Sequence, residues 1–127
     1  MPELSSFDYA VLRVVPEVTR EEFVNAGVIL FCRVRQFLAA RIRLDPARLA
    51  ALDPTLDPRL VQAHLALISA ICAGGAEAGP FADLGQSERF HWLVSPRSTV
   101  IQVSPVHPGL CADPQAALDD LFDRLVR

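Results

Sequence analysis

The sequence predicts an α+β fold: an antiparallel sheet of four to five strands with about three helices packed mainly on one face. Three observations carry this. Strand-like apolar runs crowd into residues 7–44, and helix-opening Asp-Pro pairs follow at Asp45-Pro46, Asp57-Pro58 and Asp113-Pro114. No β-α-β alternation appears, and segregated strands and helices favour an antiparallel sheet. With 127 residues, the chain is expected to form one domain, residues 1–127, around a single core.

The first strand is expected over residues 7–15, where Ala10, Leu12 and Val14 alternate with Tyr9, Val11 and Arg13. Pro16 ends it, having no N–H to donate to a ladder. Residues 18–24 form a polar connection with one helical turn, in which Thr19 and Glu22 have the spacing of a capping box. Asn25-Ala26-Gly27 leads into a second strand over 28–34, and a third follows over 37–44. Matching apolar to apolar in this hairpin groups Leu38, Ala40, Ile42 and Leu44 with Val28, Leu30 and Cys32. The other face then carries Ile29, Phe31 and Phe37 beside Arg33, Arg41 and Arg43. That register requires an odd-numbered loop around 34–36 and leaves the arginine face open to contact.

Each Asp-Pro pair places an N-cap acceptor before a proline at the first helical position, where the missing N–H costs nothing. Helices are expected over 46–52, 58–73 and 114–126. The longest carries Val61, Leu65, Ile68 and Cys72 as a stripe, widened by Leu60, Leu67 and Ile71, and stops at Gly74-Gly75. Residues 76–87 are loop-like, with Gly79, Pro80 and Gly85 as punctuation. Short strands are expected over 90–94 and 99–103 around the turn Ser95-Pro96-Arg97-Ser98, with 105–108 irregular. The last helix buries Leu118, Leu121, Phe122, Leu125 and Val126 and turns Asp119, Asp120 and Asp123 to water.

Composition narrows the function classes. Hydrophobic residues make up 51% and charged residues 21%, which is not the balance of a disordered chain. The net charge of -3 supplies no general attraction for nucleic acid or membrane. No apolar run approaches the ~18 residues of a membrane span. Residues 1–8 hold Glu3 and Asp8 and no basic leader, so a cytoplasmic location is expected. Cys32, Cys72 and Cys111 are widely spaced, with no C-x-x-C pair, and suit small core residues. All twelve basic residues are arginine, in a chain also rich in Ala, Leu and Pro. His64, His91 and His107 have no Asp or Glu at ligand spacing. No metal and no cofactor is expected.

Three residue sets could carry chemistry. Arg13, Glu22 and Asn25 could hold an anion, or could form an ion pair bracing a loop. Arg89, Arg97 and Ser98 lie at a turn whose amides and hydroxyls could cradle a phosphate or carboxylate, and could equally be plain turn residues. Arg33, Arg35, Arg41 and Arg43 with Phe31 and Phe37 combine guanidinium groups and aromatic rings, the ingredients of single-strand nucleic-acid binding or of a protein interface.

The segments Tyr9-Ala-Val-Leu-Arg-Val-Val-Pro16, Glu22-Phe-Val-Asn-Ala-Gly-Val-Ile-Leu-Phe-Cys32, Arg89-Phe-His-Trp-Leu93 and Ser95-Pro-Arg-Ser98 resemble the bacterial family called domain of unknown function 3037. The resemblance implies no reaction. It implies small stand-alone proteins whose genes often neighbour those of HipA-like kinases, and hence a possible kinase partner. The leading expectation is a non-catalytic binding or accessory protein acting through the face bearing Phe31, Arg33, Phe37, Arg41 and Arg43. Self-association or a protein partner is expected, without a membrane. The first alternative is a small enzyme or ligand-binding protein for a phosphorylated or carboxylated molecule, using Arg13, Glu22, Asn25, Arg97 and Ser98. The second is nucleic-acid binding by the arginine-rich hairpin.

Overall fold

The alternation of Ser5–Val14 makes it a strand, β1, and its length makes it the centre of the sheet. The computed structural model of the chain describes residues 3–96 and 99–127. Beyond β1 come β2 (Val24–Cys32), β3 (Phe37–Ile42), α1 (Pro46–Leu52) and α2 (Pro58–Ala73). They are followed by α3 (Gln86–Leu93), β4 (Ile101–Val103), β5 (His107–Cys111) and α4 (Pro114–Leu125). Every strand pairing is antiparallel and the order is β3-β2-β1-β4. β5 shares the same edge of β1 as β4: it pairs with Ser5 to Tyr9, while β4 takes Leu12 to Val14. The α+β class and antiparallel sheet agree with the sequence.

The three Asp-Pro helix starts are present. Asp45 accepts from the amides of Ala47 and Arg48, Asp57 from Arg59, and Asp113 from Gln115 and Ala116. Gly74 closes α2 in the left-handed conformation, φ 75°. The turn before β2 is capped differently from the expectation. Glu17, not Thr19, caps a short 3-10 helix over Val18–Arg20, and Glu22 bonds to Arg20.

Four expectations are corrected. First, the hairpin register is shifted by one: Cys32 pairs with Phe37, Phe31 with Leu38 and Val28 with Arg41. The loop is therefore the even-numbered Arg33-Val34-Arg35-Gln36, closed by Gln36 N–H donating to Arg33 O, with Gln36 at φ 52°. Second, the sheet face expected to be open is covered. Leu12, Val14, Ile29, Phe31 and Leu38 pack with α1, α2 and α3, while Val28, Leu30 and Cys32 pack with Leu118, Leu121 and Phe122 of α4. The physical reason for both is the same. Ala26 to Cys32 is buried at every position, and a strand buried on both faces is apolar throughout instead of alternating. No outer face existed for the arginines to define.

Third, the strand expected over 90–94 is the helix α3, because Phe90 and Leu93 are three apart and bury together. The loop before it holds a 3-10 segment over Ala76–Asp83. Fourth, β5 occupies the stretch expected to be irregular. Pro108 is tolerated there because the strand lies at an edge. Asn25 and Gly27 are also inside β2 instead of leading into it. A Cβ on Gly27 would lie 2.8 Å from Arg41 O, so glycine there admits close strand approach. Ala26 is skipped in the β1 pairing, a bulge opposite Leu12 and Arg13.

Candidate functional site

α2 has more apolar surface than one sheet can cover. Val61, Leu65, Ile71 and Cys72 are buried in the core. His64, Leu67, Ile68 and Ile71 form a second stripe at i, i+3, i+4 and i+7, turned toward the β4 side of the sheet. Val100, just before β4, and Ile101, its first residue, line a groove together with this stripe, Phe81 and Trp92. The Phe81 and Trp92 rings lie 4.4 Å apart between centroids, tilted by 54°, within the geometry of a favourable aromatic pair. Leu67 is 50% exposed and Trp92 44% exposed. The groove is thus mostly apolar, with His64 and Thr99 at its polar margin.

Arg89 fixes the wall that carries Trp92. It is only 7% exposed, yet no carboxylate pairs with it among the described residues. Instead Nη1 donates to Leu84 O at 2.7 Å and Nη2 to Cys72 O at 3.5 Å, while Nε meets no partner. The guanidinium thereby serves the carbonyl end of α2, where the helix dipole favours a cation. It lies under Gly74, whose missing side chain leaves it room. Beside it, burial pushes the Cys72 thiol up to about 12, against a smaller opposing effect of Arg89. Burial, then the nearby Cys32, also raises Cys111. Neither has the depressed acidity of a reactive thiol.

The first predicted set is only partly brought together. Arg13 and Asn25 are cross-strand partners, but each turns to a different neighbour. The Arg13 guanidinium stacks 4.3 Å from the centroid of Phe23, and Asn25 Nδ2 donates to Leu125 O at 3.0 Å. Glu22 is exposed and pairs with Arg20, not Arg13. Arg97 and Ser98 lie outside the described residues.

The arginine face is not assembled. Phe31 is 6% exposed and stacks on Phe90 at 5.2 Å, on the α3 side of the sheet. Phe37 is half-buried in the opposite layer with α4. Arg41 lies beneath α4, 2.9 Å from Asp119 and over the Phe122 ring. Arg43 is exposed near Asn25 and Arg48, and Arg33 is exposed in the turn. Arg35 binds Ser5 and the Glu3 carbonyl. The guanidinium groups are spread along the hairpin, and Phe31 and Phe37 lie on opposite faces of the sheet, so no single face gathers them.

His64, His91 and His107 are exposed and separate: His91 bonds to Ser87, and His107 stacks near Tyr9. Among the described residues no His, Cys, Asp or Glu group of three gathers. No single helix there is long and apolar enough to cross a membrane. Sequence reasoning placed Leu67 on the buried stripe of the long helix and Trp92 in a strand, and did not single out Phe81. The signal was present in α2, whose apolar arc from position 64 to 72 is wider than one buried face needs. Trp92 was masked by the strand assignment. Among known proteins, a family model described as protein of unknown function (DUF3037) matches residues 9–126. No curated protein and no solved structure matches the chain.

Proposed function

The chain belongs to the DUF3037 family, and from that premise we propose that it is a non-catalytic binding protein. It acts by receiving an apolar segment of a protein partner in the groove between α2, α3 and β4. The observation that supports this is a concave apolar surface on which Leu67 and Trp92 are both about half-exposed. Large aromatic and aliphatic side chains left in water cost free energy that a partner can recover by covering them. Trp and its apolar neighbours are also the residues that dominate binding energy where they sit in a pocket. A segment presenting apolar residues at i, i+3 and i+4 fits such a groove. The family resemblance makes a HipA-like kinase encoded nearby the partner to test.

Trp92 is the sole tryptophan, so it reports its own burial. Titrating a purified HipA-like kinase or its peptides, with emission followed in tryptophan-free variants of the partner, should shift Trp92 fluorescence to shorter wavelength. Leu67→Glu should weaken that binding by at least tenfold, or about 1.4 kcal/mol, with an unchanged melting temperature. Unshifted emission at saturating partner, or a Leu67→Glu protein that binds as tightly, would rule the groove out.

A further inference from the structure

β3 ends the sheet, and its outer edge is bare among the described residues. Arg43 N–H donates to Ala26 O, which fixes the alternation: Phe37, Ala39 and Arg41 direct their backbone groups to β2. Leu38, Ala40 and Ile42 then direct theirs away from the sheet. Natural edges are usually blunted by proline, lysine, a bulge or a covering element. β3 has no proline, lysine or bulge along Phe37–Ile42, and its one charge, Arg41, is drawn to Asp119 of α4. Beside it runs a shallow groove whose other wall is the α2 stripe Gln62, Ala66, Ser69, Ala70 and Ala73. Small side chains are what allow two helices to approach closely, at ~8–10 Å between axes.

We propose that this edge pairs with the β3 edge of a second copy of the chain, joining two sheets across a two-fold axis at Ala40. The register follows from the free groups. Pairing Leu38 with the partner's Ile42, Ala40 with the partner's Ala40, and Ile42 with the partner's Leu38 lets each of these residues donate once and accept once. A register centred on Arg41 would set like charges opposite each other, which destabilises a strand pair. The Ala40 register sets Arg41 opposite the partner's Ala39. A two-fold interface must be self-complementary, and the charges also satisfy this. Arg89 ties the end of α2 to α3, and Gln86 of α3 donates to Gln36 O in the hairpin turn. So α2 runs antiparallel to β3, with Glu77 at the turn end of the groove and Arg59, one turn before Gln62, at the other. The two-fold brings Glu77 of one copy to the far end of the partner's groove, where the exposed Arg59 is held, among the described residues, only by its neighbour Asp57. The two α2 helices meet through their alanine and serine stripes. This interface is on the opposite flank of α2 from the Trp92 groove and does not depend on it.

Light scattering at about 100 µM, some hundredfold above a micromolar dissociation constant, should give about twice the 13.9 kDa chain mass. In hydrogen exchange the Leu38, Ala40 and Ile42 amides should be protected by at least ~100-fold relative to the monomer. Two variants test the surface. Ala40→Pro removes an N–H that no internal bond uses, a substitution an edge strand tolerates. Ala66→Arg places a large helix-forming side chain on the exposed stripe. Each should give a monomer with rapid exchange at those amides and an unchanged circular dichroism spectrum, and Ala66→Arg decides if Ala40→Pro does not fold. A monomeric wild-type chain overturns the proposal. So does a dimer whose three amides exchange freely, or one that survives Ala66→Arg.

Discussion

Arg89 is the one buried charged side chain among the described residues. Two carbonyls from different elements, Leu84 O and Cys72 O, depend on its donors. Replacing it with alanine strands both and leaves a void, at a combined cost of about 2–4 kcal/mol. A urea titration should show that loss, with Arg89→Met recovering part of it by filling the volume. Cys72 gives a second expectation, with a definite sign. Its thiol stays protonated in the folded chain up to about 12, against an ordinary value of 9.0. Above pH 9 the unfolded chain therefore binds fewer protons than the folded one. Stability is unaffected by this group below pH 9 and falls between 9 and 12 by up to ~1.4 kcal/mol per pH unit. Denaturant midpoints at pH 8 and pH 10.5 should differ more for the wild type than for Cys72→Ala.

At the scale of elements, three helix starts were legible because an Asp-Pro cap is local, although the fourth such pair, Asp53-Pro54, closes α1 and opens only a turn. The side chain, the amide it caps and the proline ring are all within three residues. Asp113→Ala should cost about 1 kcal/mol, read as a lower melting temperature, since α4 is held to the sheet through residues close behind this cap. The hairpin register was not legible in the same way. Its arginines suggested a wet face, but Arg41 reaches Asp119, 78 positions later, and shelters over Phe122. A guanidinium on a long stem can cover apolar surface while keeping its charge paired. So Arg41 looked like a marker of solvent and is a lid on the core. The same limit applies to α3: Phe90-His91-Trp92 has aromatic strand propensity, and only burial against Phe31 and α2 selects the helix.

For the whole molecule, class and strand direction were readable because they depend on the order of elements. The layering depended on what α4 does, and its sequence states only that one side is greasy. Leu118, Leu121 and Phe122 match Val28, Leu30 and Cys32 across the sheet, a correspondence between distant segments that no window of sequence contains. The candidate site shows the same division. The surplus apolar arc of α2 was visible, but the residues that line the groove with it, Phe81, Trp92 and Val100, come together only once the chain has folded.

That α4 roofs a strand nearly a hundred residues upstream bears on how the chain emerges from the ribosome. β1, β2 and β3 can pair while translation continues, but Val28, Leu30 and Cys32 remain without their cover until residues 114–125 leave the exit tunnel. For that interval the nascent sheet presents a sticky flank to its surroundings. The interval's length is set by translation speed, so slow codons between β3 and α4 would prolong the exposure, and a chaperone's claim on the chain would peak there.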